Sequence, residues 1–355
     1  MHFSRGSKGL RLQPGRGGPI PGTRASNAPA PGCAKLSMPL PSVLCIGGCV
    51  IDRVGETQDA KERLYTSNIG VMRASFGGVA RNVAENLARL GTSVAMASRL
   101  GDDPEGRDVL AASQAAGIDM SRVVIDPKRR TASYTAIFNG EGELVIGLAD
   151  MAIFEAISPA ETLAWVRQAP ADALVFADAN LTPQALQAIA GAKQGRLLAA
   201  GPVSQQKILR LQDCFAALDF LFLNRFEAAA ILGGQGGDFP TLARALYRAG
   251  IRQGLLTAGA EDGLAWSGER MERIEAPRAN PVNVNGAGDA LIAGTLARIG
   301  QGDDFFQAAR IGMAAAALTV ESATTVRPDI GMAGVLARFD AARAEQPQVF
   351  EAGKA

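Results

Sequence analysis

Short apolar runs recur along the chain, each closed by a small or polar residue. VLCIGGCVI (43–51), SVAMASRLG (93–101), ALVFADAN (173–180), RLLAAGPV (196–203), FLFLN (220–224) and QGLLTAG (253–259) all end near Gly, Asp or Asn. Runs this short, bounded by turn residues, predict strands buried on both faces. Helical patterns lie between them. In GVARNVAENLARLG, Val79, Val83, Leu87 and Leu90 fall on one stripe, and Gly91 closes the helix. The alternation predicts an α/β fold with a doubly wound, mostly parallel sheet flanked by helices. Ligands of such sheets sit beyond the C-terminal strand ends, where Asp178, Asn180, Asn224 and Gly259 fall.

Two stretches break this rhythm. Residues 53–75 carry little helix signal, and TASYTAIFNGEGELVIG (131–147) reads as a hairpin turning at Asn139-Gly140. Strands from about 53–75 and 131–150 are therefore expected to form a small β-sheet lid beside the main sheet. No internal repeat or heptad pattern is visible. The folded domain is expected over 41–345, followed by a tail at 346–355.

The N-terminus differs in composition. Residues 1–37 hold six of the 36 basic residues and no acid, leaving 30 basic against 35 acidic in the remainder. The segment is rich in Gly, Pro and Ser without apolar period, so residues 1–40 are expected to be a disordered extension, with Met38 as the working start.

Charge and chemistry exclude several classes. The near balance of 36 basic and 35 acidic residues argues against a nucleic-acid binder. No apolar stretch is long enough to span a bilayer. The one histidine is His2, so the expected domain has no histidine base, no Ser-His-Asp triad and no His-ligated metal. Cys33, Cys45, Cys49 and Cys214 contain no CxxC pair and read as reduced, small hydrophobes of a cytoplasmic protein. CIGGCVID lacks the GxGxxG of a dinucleotide-binding turn, which argues against an oxidoreductase. What remains is chemistry on carboxylates, amides, backbone groups and Mg²⁺.

NVNGAGDALIAG (283–294) sets a glycine turn in front of an apolar helix with one acid at the junction. The first amides of a helix lack intrahelical partners and carry partial positive charge, and glycines let a ligand approach them. Asp289 there either complements the helix dipole or takes a proton from an attacking hydroxyl while Gly286, Ala287 and Gly288 hold negative charge. The second reading supplies the parts of phosphoryl transfer. An aspartate is ordinarily ionised at neutral pH, so this role requires no special pKa.

This stretch resembles the C-terminal signature of the ribokinase-like (PfkB) family of carbohydrate and nucleoside kinases. SFGGVARNVAENLARLG (75–91) resembles that family's N-terminal signature, and the likeness runs from about Val43 to Pro328. DANL (178–181), GPVSQQK (201–207), NRFEA (224–228) and ALTVESATTV (317–326) place the chain nearest the pseudouridine-kinase branch. The resemblance implies an ATP-dependent kinase that phosphorylates the 5′-hydroxyl of a nucleoside. Another sugar or nucleoside kinase, or a non-catalytic nucleoside-binding protein, stands as the alternative.

Roles follow from the resemblance. Asp289 is the base and Gly286-Ala287-Gly288 the anion hole. Asp52, Gly77, Gly78 and Asn82 contact the sugar, with Asn180 near it. Asn68 and Tyr134 reach from the lid towards the base, although a lone strand aromatic is more often packing. Asn224 and Glu227 match an N-x-x-E element acting through water on Mg²⁺; the same pair also fits a helix cap. Thr257, Gly259 and Gly263 match the nucleotide loop, and Ser322 borders the adenine pocket. ATP and Mg²⁺ are implied, together with a monovalent cation such as K⁺. Asn283, Asn285 and Gly201 stand where many members carry an acid or a threonine, which bears on substrate and ion requirement. Open lid edges predict a homodimer.

Overall fold

Val43 and Cys45 join one apolar core while Leu44 and Ile46 join another, because successive side chains of a strand face opposite ways. These residues form β1 (Val43–Ile46) of the computed structural model, which describes residues 43–344. The N-terminal extension expected at 1–40 and the tail expected at 346–355 lie outside the described residues.

The other strands are β2 (Val50–Thr57), β3 (Gly70–Gly77), β4 (Val94–Ala97), β5 (Arg99–Gly101), β6 (Val124–Asp126), β7 (Ser133–Phe138), β8 (Leu144–Asp150), β9 (Leu174–Asp178), β10 (Leu198–Gly201), β11 (Phe220–Asn224), β12 (Gln253–Ala258), β13 (Glu261–Ser267) and β14 (Arg270–Ile274). The helices are α1 (Val79–Arg89), α2 (Pro104–Ala115), α3 (Pro159–Gln168), α4 (Pro183–Ala192), α5 (Arg225–Ile231), α6 (Phe239–Arg248), α7 (Ala287–Ile299), α8 (Phe305–Val320) and α9 (Met332–Ala344). Several begin at signals readable in sequence. Asp103, Ser158 and Thr182 cap α2, α3 and α4, each with proline in the first turn.

An eight-stranded sheet runs in the order β14-β13-β12-β11-β10-β9-β1-β4. Its strands pair in parallel from β4 to β12, and β13 and β14 close one edge antiparallel. The architecture is the doubly wound α/β sheet with helices on both faces. One core gathers α1, α7 and α8, and the other α3, α4 and α6. Helices α7 and α8 approach at two glycines: a Cβ on Gly294 would lie 3.0 Å from the Gly312 Cα. Cys45, Cys49 and Cys214 are free and buried. Among the described residues, no helix is long and apolar enough to cross a membrane.

Residues 53–75 and 131–150 contribute to a separate four-stranded sheet ordered β3-β2-β7-β8. It springs from β1 through Gly47-Gly48-Cys49, so β2 leaves the main sheet at the C-terminal end of the strand next to the β4 edge. Asp52 pairs with Ser75 and Tyr134 across this sheet. The parity of the register sets Gly55, Met72, Ile137 and Ile146 on the face opposite to Asp52. Met72 and Ile146 are more than half exposed.

Candidate active site

Four glycines bring three chain segments into contact at the end of β1. Gly78 has φ +97°, and a Cβ there would run into the Gly48 carbonyl. A Cβ on Gly77 would collide with the Asp52 carboxylate, and one on Gly47 with that of Asp178. These positions need glycine because of the protein's own packing. The expectation that Gly77 and Gly78 make room for a sugar is thus joined by a requirement internal to the fold. Asp52 stays half-buried on β2, where burial raises its pKa against the opposing charge of Arg81.

Gly286 takes the left-handed conformation, φ +81°, immediately before α7, and a Cβ on it would strike the Thr325 carbonyl. That turn lifts the chain so that Ala287, Gly288 and Asp289 form the first turn of the helix. Gly288 differs from Gly286: a Cβ there meets nothing within 4 Å. Asp289 accepts a hydrogen bond from Asn82 Nδ2 at 2.9 Å, joining α7 to α1. Its carboxyl is pushed up to about 7, chiefly by removal from water, with Asp178 and Asp52 adding and Asn82 opposing. Two neighbouring acids and a desolvated seat thus lift this aspartate above the ordinary carboxylate range, a shift that its proposed role did not require.

Asp289 and Gly288 share a cavity of about 180 Å³ with Asn224, Glu227 and Thr257. Asn224 caps α5, its side chain accepting from the amides of Phe226 at 2.9 Å and Glu227 at 3.0 Å. Glu227 returns a bond, accepting from the Asn224 amide at 2.8 Å. The pair therefore forms a complete capping box and also lines the cavity. Burial raises the Glu227 carboxyl to about 7. Chemistry marks this cavity more than size does, since a cavity of about 670 Å³ beside β14 and α9 contains none of these groups.

Among the described residues, no three His, Cys, Asp or Glu side chains group to hold a metal ion. The donors fit an ion of another kind. Mg²⁺ keeps several waters and is commonly held by one or two carboxylates plus substrate phosphates. Glu227 beside a cavity that also contains Asp289 meets that description. Asn283, at the position linked to a monovalent cation, is spent internally: it accepts from the Asn285 amide at 3.0 Å and donates to the Ala323 carbonyl at 3.2 Å.

Other expected site residues lie elsewhere or are otherwise engaged. Asn68 is exposed and ties its own loop, accepting from the Arg63 amide at 2.8 Å and donating to the Arg63 carbonyl at 3.0 Å. Tyr134 stands beside Asp52 in the small sheet and packs against the second core, its hydroxyl near Gly147. Asn180 is buried, its side chain donating to Asp178 and accepting from Lys207. Thr257 lines the cavity, and Gly259 turns the chain between β12 and β13 with open space where its Cβ would be. Gly263 is not in that loop: it is a strand residue of β13 whose Cβ would lie 3.0 Å from Met313 Cε. Ser322 bonds Thr324 in the turn after α8.

Sequence reasoning passed over Gly47, Gly48 and Lys207, and set Asp178 at a ligand-facing strand end without giving it a role. A glycine doublet at the end of β1 and an acid closing the buried strand β9 were the available signals.

Residues 40–330 match the model of the pfkB family carbohydrate kinases. The chain belongs to the PfkB family. It is 29% identical over 303 residues to the pseudouridine kinase of Escherichia coli (strain K12), an alignment covering 83% of this chain and 95% of that protein. A solved carbohydrate kinase from Agrobacterium tumefaciens is 32% identical with a TM-score of 0.74, covering 85% of this chain and 97% of that one. The Arabidopsis thaliana ribokinase complexed with ribose and ATP shares the fold at 19% identity, with a TM-score of 0.74, covering 84% of this chain and 99% of that one. As a PfkB-family sugar or nucleoside kinase, the protein transfers a phosphoryl group from ATP to a hydroxyl.

Proposed function

We propose that this kinase phosphorylates the 5′-hydroxyl of a nucleoside, with pseudouridine as the acceptor and pseudouridine 5′-phosphate as the product. The observation that carries the reading is the Asn82–Asp289 contact at the head of α7, facing the cavity shared with Asn224 and Glu227. The acceptor side is built from Asp52 and Asn82, and the phosphate side from the first turn of α7 and the N-x-x-E element. The 29% identity to a pseudouridine kinase supports this acceptor class.

In this reading Asn82 and Asp52 orient the sugar, and Asp289 holds the hydroxyl hydrogen. As the oxygen bonds to the γ-phosphorus, the proton passes to Asp289, and ADP leaves with the electrons of the broken P–O bond. The amides of Gly286, Ala287 and Gly288 face the charge that develops on the transferred group. Glu227, through water, is the residue that would hold Mg²⁺, which supplies charge neutralisation between the phosphates. A pKa about 7 leaves Asp289 able both to take the proton and to release it to solvent at neutral pH.

A second reading is a kinase of another sugar or nucleoside. It gains from Asn68 being engaged in its own loop, which leaves fewer groups to read a base. A panel of pseudouridine, uridine, ribose and fructose separates the two by coupled ADP release. A kcat/KM for pseudouridine at least roughly tenfold above the others is expected; ribose or fructose in first place overturns the acceptor assignment.

The small sheet is the proposed lid over the sugar, and its outer face the proposed dimer contact. Met72, Ile146 and Leu148 are 57%, 59% and 69% exposed on the side away from Asp52. Pairing with a second copy would cover them.

A further inference from the structure

Asp178 ends β9 with no exposed surface, yet its carboxylate gathers four hydrogen bonds. Its Oδ2 accepts from the Gly48 amide at 2.9 Å, the Ala80 amide at 3.0 Å and Asn180 Nδ2 at 3.1 Å. Its Oδ1 accepts from the Asn180 amide at 2.9 Å. These donors come from the turn after β1, the first turn of α1 and the loop after β9. A carboxylate suits the position because all its hydrogen-bonding capacity is for acceptance, whereas an amide must present a donor at one of the two atoms.

A buried carboxylate is costly unless it is well bonded and compensated. The compensation comes from two sources: the N-terminus of α1, where Ala80 donates, and Lys207, whose Nζ lies 2.7 Å from Asn180 Oδ1. Asn180 therefore stands between cation and carboxylate and polarises towards both. The charged and titratable groups that act on Asp178 or feel it are Lys207, Asp289, Cys45 and Cys49.

Ala80 is two residues before Asn82, so the bond that fixes the start of α1 also sets where Asn82 points. Gly48 is the residue against which Gly78 packs. We propose that Asp178, countered through Asn180 by Lys207, is a positioning residue for the acceptor half of the site: it locks the Gly48 turn to the start of α1 and so holds Asn82 on Asp289. This rests on the reading that the acceptor lies against Asn82. The phosphate half, built on the first turn of α7 and the N-x-x-E element of α5, donates none of the hydrogen bonds that Asp178 accepts, so the two halves should respond differently.

The test is calorimetric titration of wild type, Asp178→Ala, Asp178→Asn and Lys207→Met with ADP and with the fastest acceptor of the four-compound panel. Expected is a rise of at least roughly tenfold in acceptor Kd for Asp178→Ala, with ADP affinity held within about twofold. Asp178→Asn should be milder, because one amide oxygen can still accept from Gly48 and Ala80. Lys207→Met should weaken the acceptor severalfold in the same direction. Acceptor affinity unchanged, or acceptor and ADP binding lost together, overturns the proposal. If Asp178→Ala fails to fold by circular dichroism, Lys207→Met decides alone: unchanged acceptor affinity overturns it. Asp289→Asn, assayed in parallel, keeps the two readings apart. Wild-type turnover in that variant removes the base assignment, while the affinity split still judges Asp178.

Discussion

Asn82 Nδ2 and Asp289 Oδ2 meet at 2.9 Å although 207 residues separate them in the chain. The contact ties the first turn of α1 to the first turn of α7, the two helices that carry the family signatures. If Asp289 takes the proton, Asp289→Asn should lower kcat by about 100-fold or more, while acceptor affinity stays near wild type. Coupled ADP release and titration of the acceptor measure the two quantities.

The seat of Asp289 also predicts opposite pH trends for activity and stability. Its folded pKa of about 7 lies above the ordinary 3.8, so the native state binds this proton more tightly than the unfolded chain does. The group's contribution to stability is complete below the unfolded pKa and is lost as pH rises to about 7. Catalysis needs the ionised form and should fall below that value. Asp289→Asn should therefore melt above wild type at pH 8, and the two curves should converge near pH 4. A difference in Tm that does not depend on pH would contradict this. Glu227 also titrates about 7, so the acid limb of kcat/KM should be measured in Glu227→Gln as well; its persistence there assigns it to Asp289.

Glu227→Gln and Glu227→Ala separate a cap from an ion contact. Glutamine can still reach the Asn224 amide, so its Tm should match wild type at about pH 4, where Glu227 is protonated, whereas alanine breaks the capping box at a cost of about 1 kcal/mol. Both should raise KM for Mg·ATP by roughly tenfold or more, because the charge that acts through water on the ion is gone. Wild-type Mg·ATP kinetics in the glutamine variant would leave only the cap.

Gly286 and Gly288 should respond differently to alanine. At Gly286 a side chain meets the Thr325 carbonyl in a left-handed backbone, so alanine should cost about 1–2 kcal/mol or more in chemical denaturation. At Gly288 a Cβ enters open space, and a helical alanine should leave stability equal or slightly higher, by about 0.5–1 kcal/mol. Turnover should nonetheless drop roughly tenfold there, because the methyl stands over amides that the phosphoryl group must approach.

The exposed outer face of the small sheet predicts a concentration-dependent dimer. Met72→Lys with Ile146→Lys should give monomers in light scattering at micromolar concentration, where the unaltered protein should be dimeric. A wild-type monomer under those conditions removes the proposed contact.

The order of buried strands was readable because the parallel sheet writes itself as short apolar runs, and β1, β9 and β11 fall within those quoted. Asp289 was marked by a local signal, the glycine turn before an apolar helix, whereas Asn82, Asn224 and Glu227 were named from the family resemblance; the structure sets Asn82 against Asp289, and Asn224 and Glu227 on the same cavity as Asp289. Three kinds of residue were not readable. Asn68 looked like a ligand group, but its amide serves a loop whose closure depends on distances no pattern encodes. Gly263 looked like part of a turn, but it lies within β13, where a Cβ would meet the Leu256 carbonyl of the paired strand at 2.8 Å. Asp178 looked like a strand-end acid, and its four donors come from segments as far as 130 residues away. Burial shifts of Asp289 escaped for the same reason: desolvation is a property of the assembled site.

The contact of Gly47, Gly48, Gly77 and Gly78 has a consequence for how such a protein changes its diet. In the proposed acceptor site the glycine turns form a floor of main chain, which offers no side chain to exchange. A change of acceptor would then come from the rim, at Asp52, Tyr134 and the strands of the small sheet, while the glycine floor is kept. A mutant library aimed at the rim should yield altered substrate preference with folding intact, and one aimed at the four glycines should yield insoluble protein.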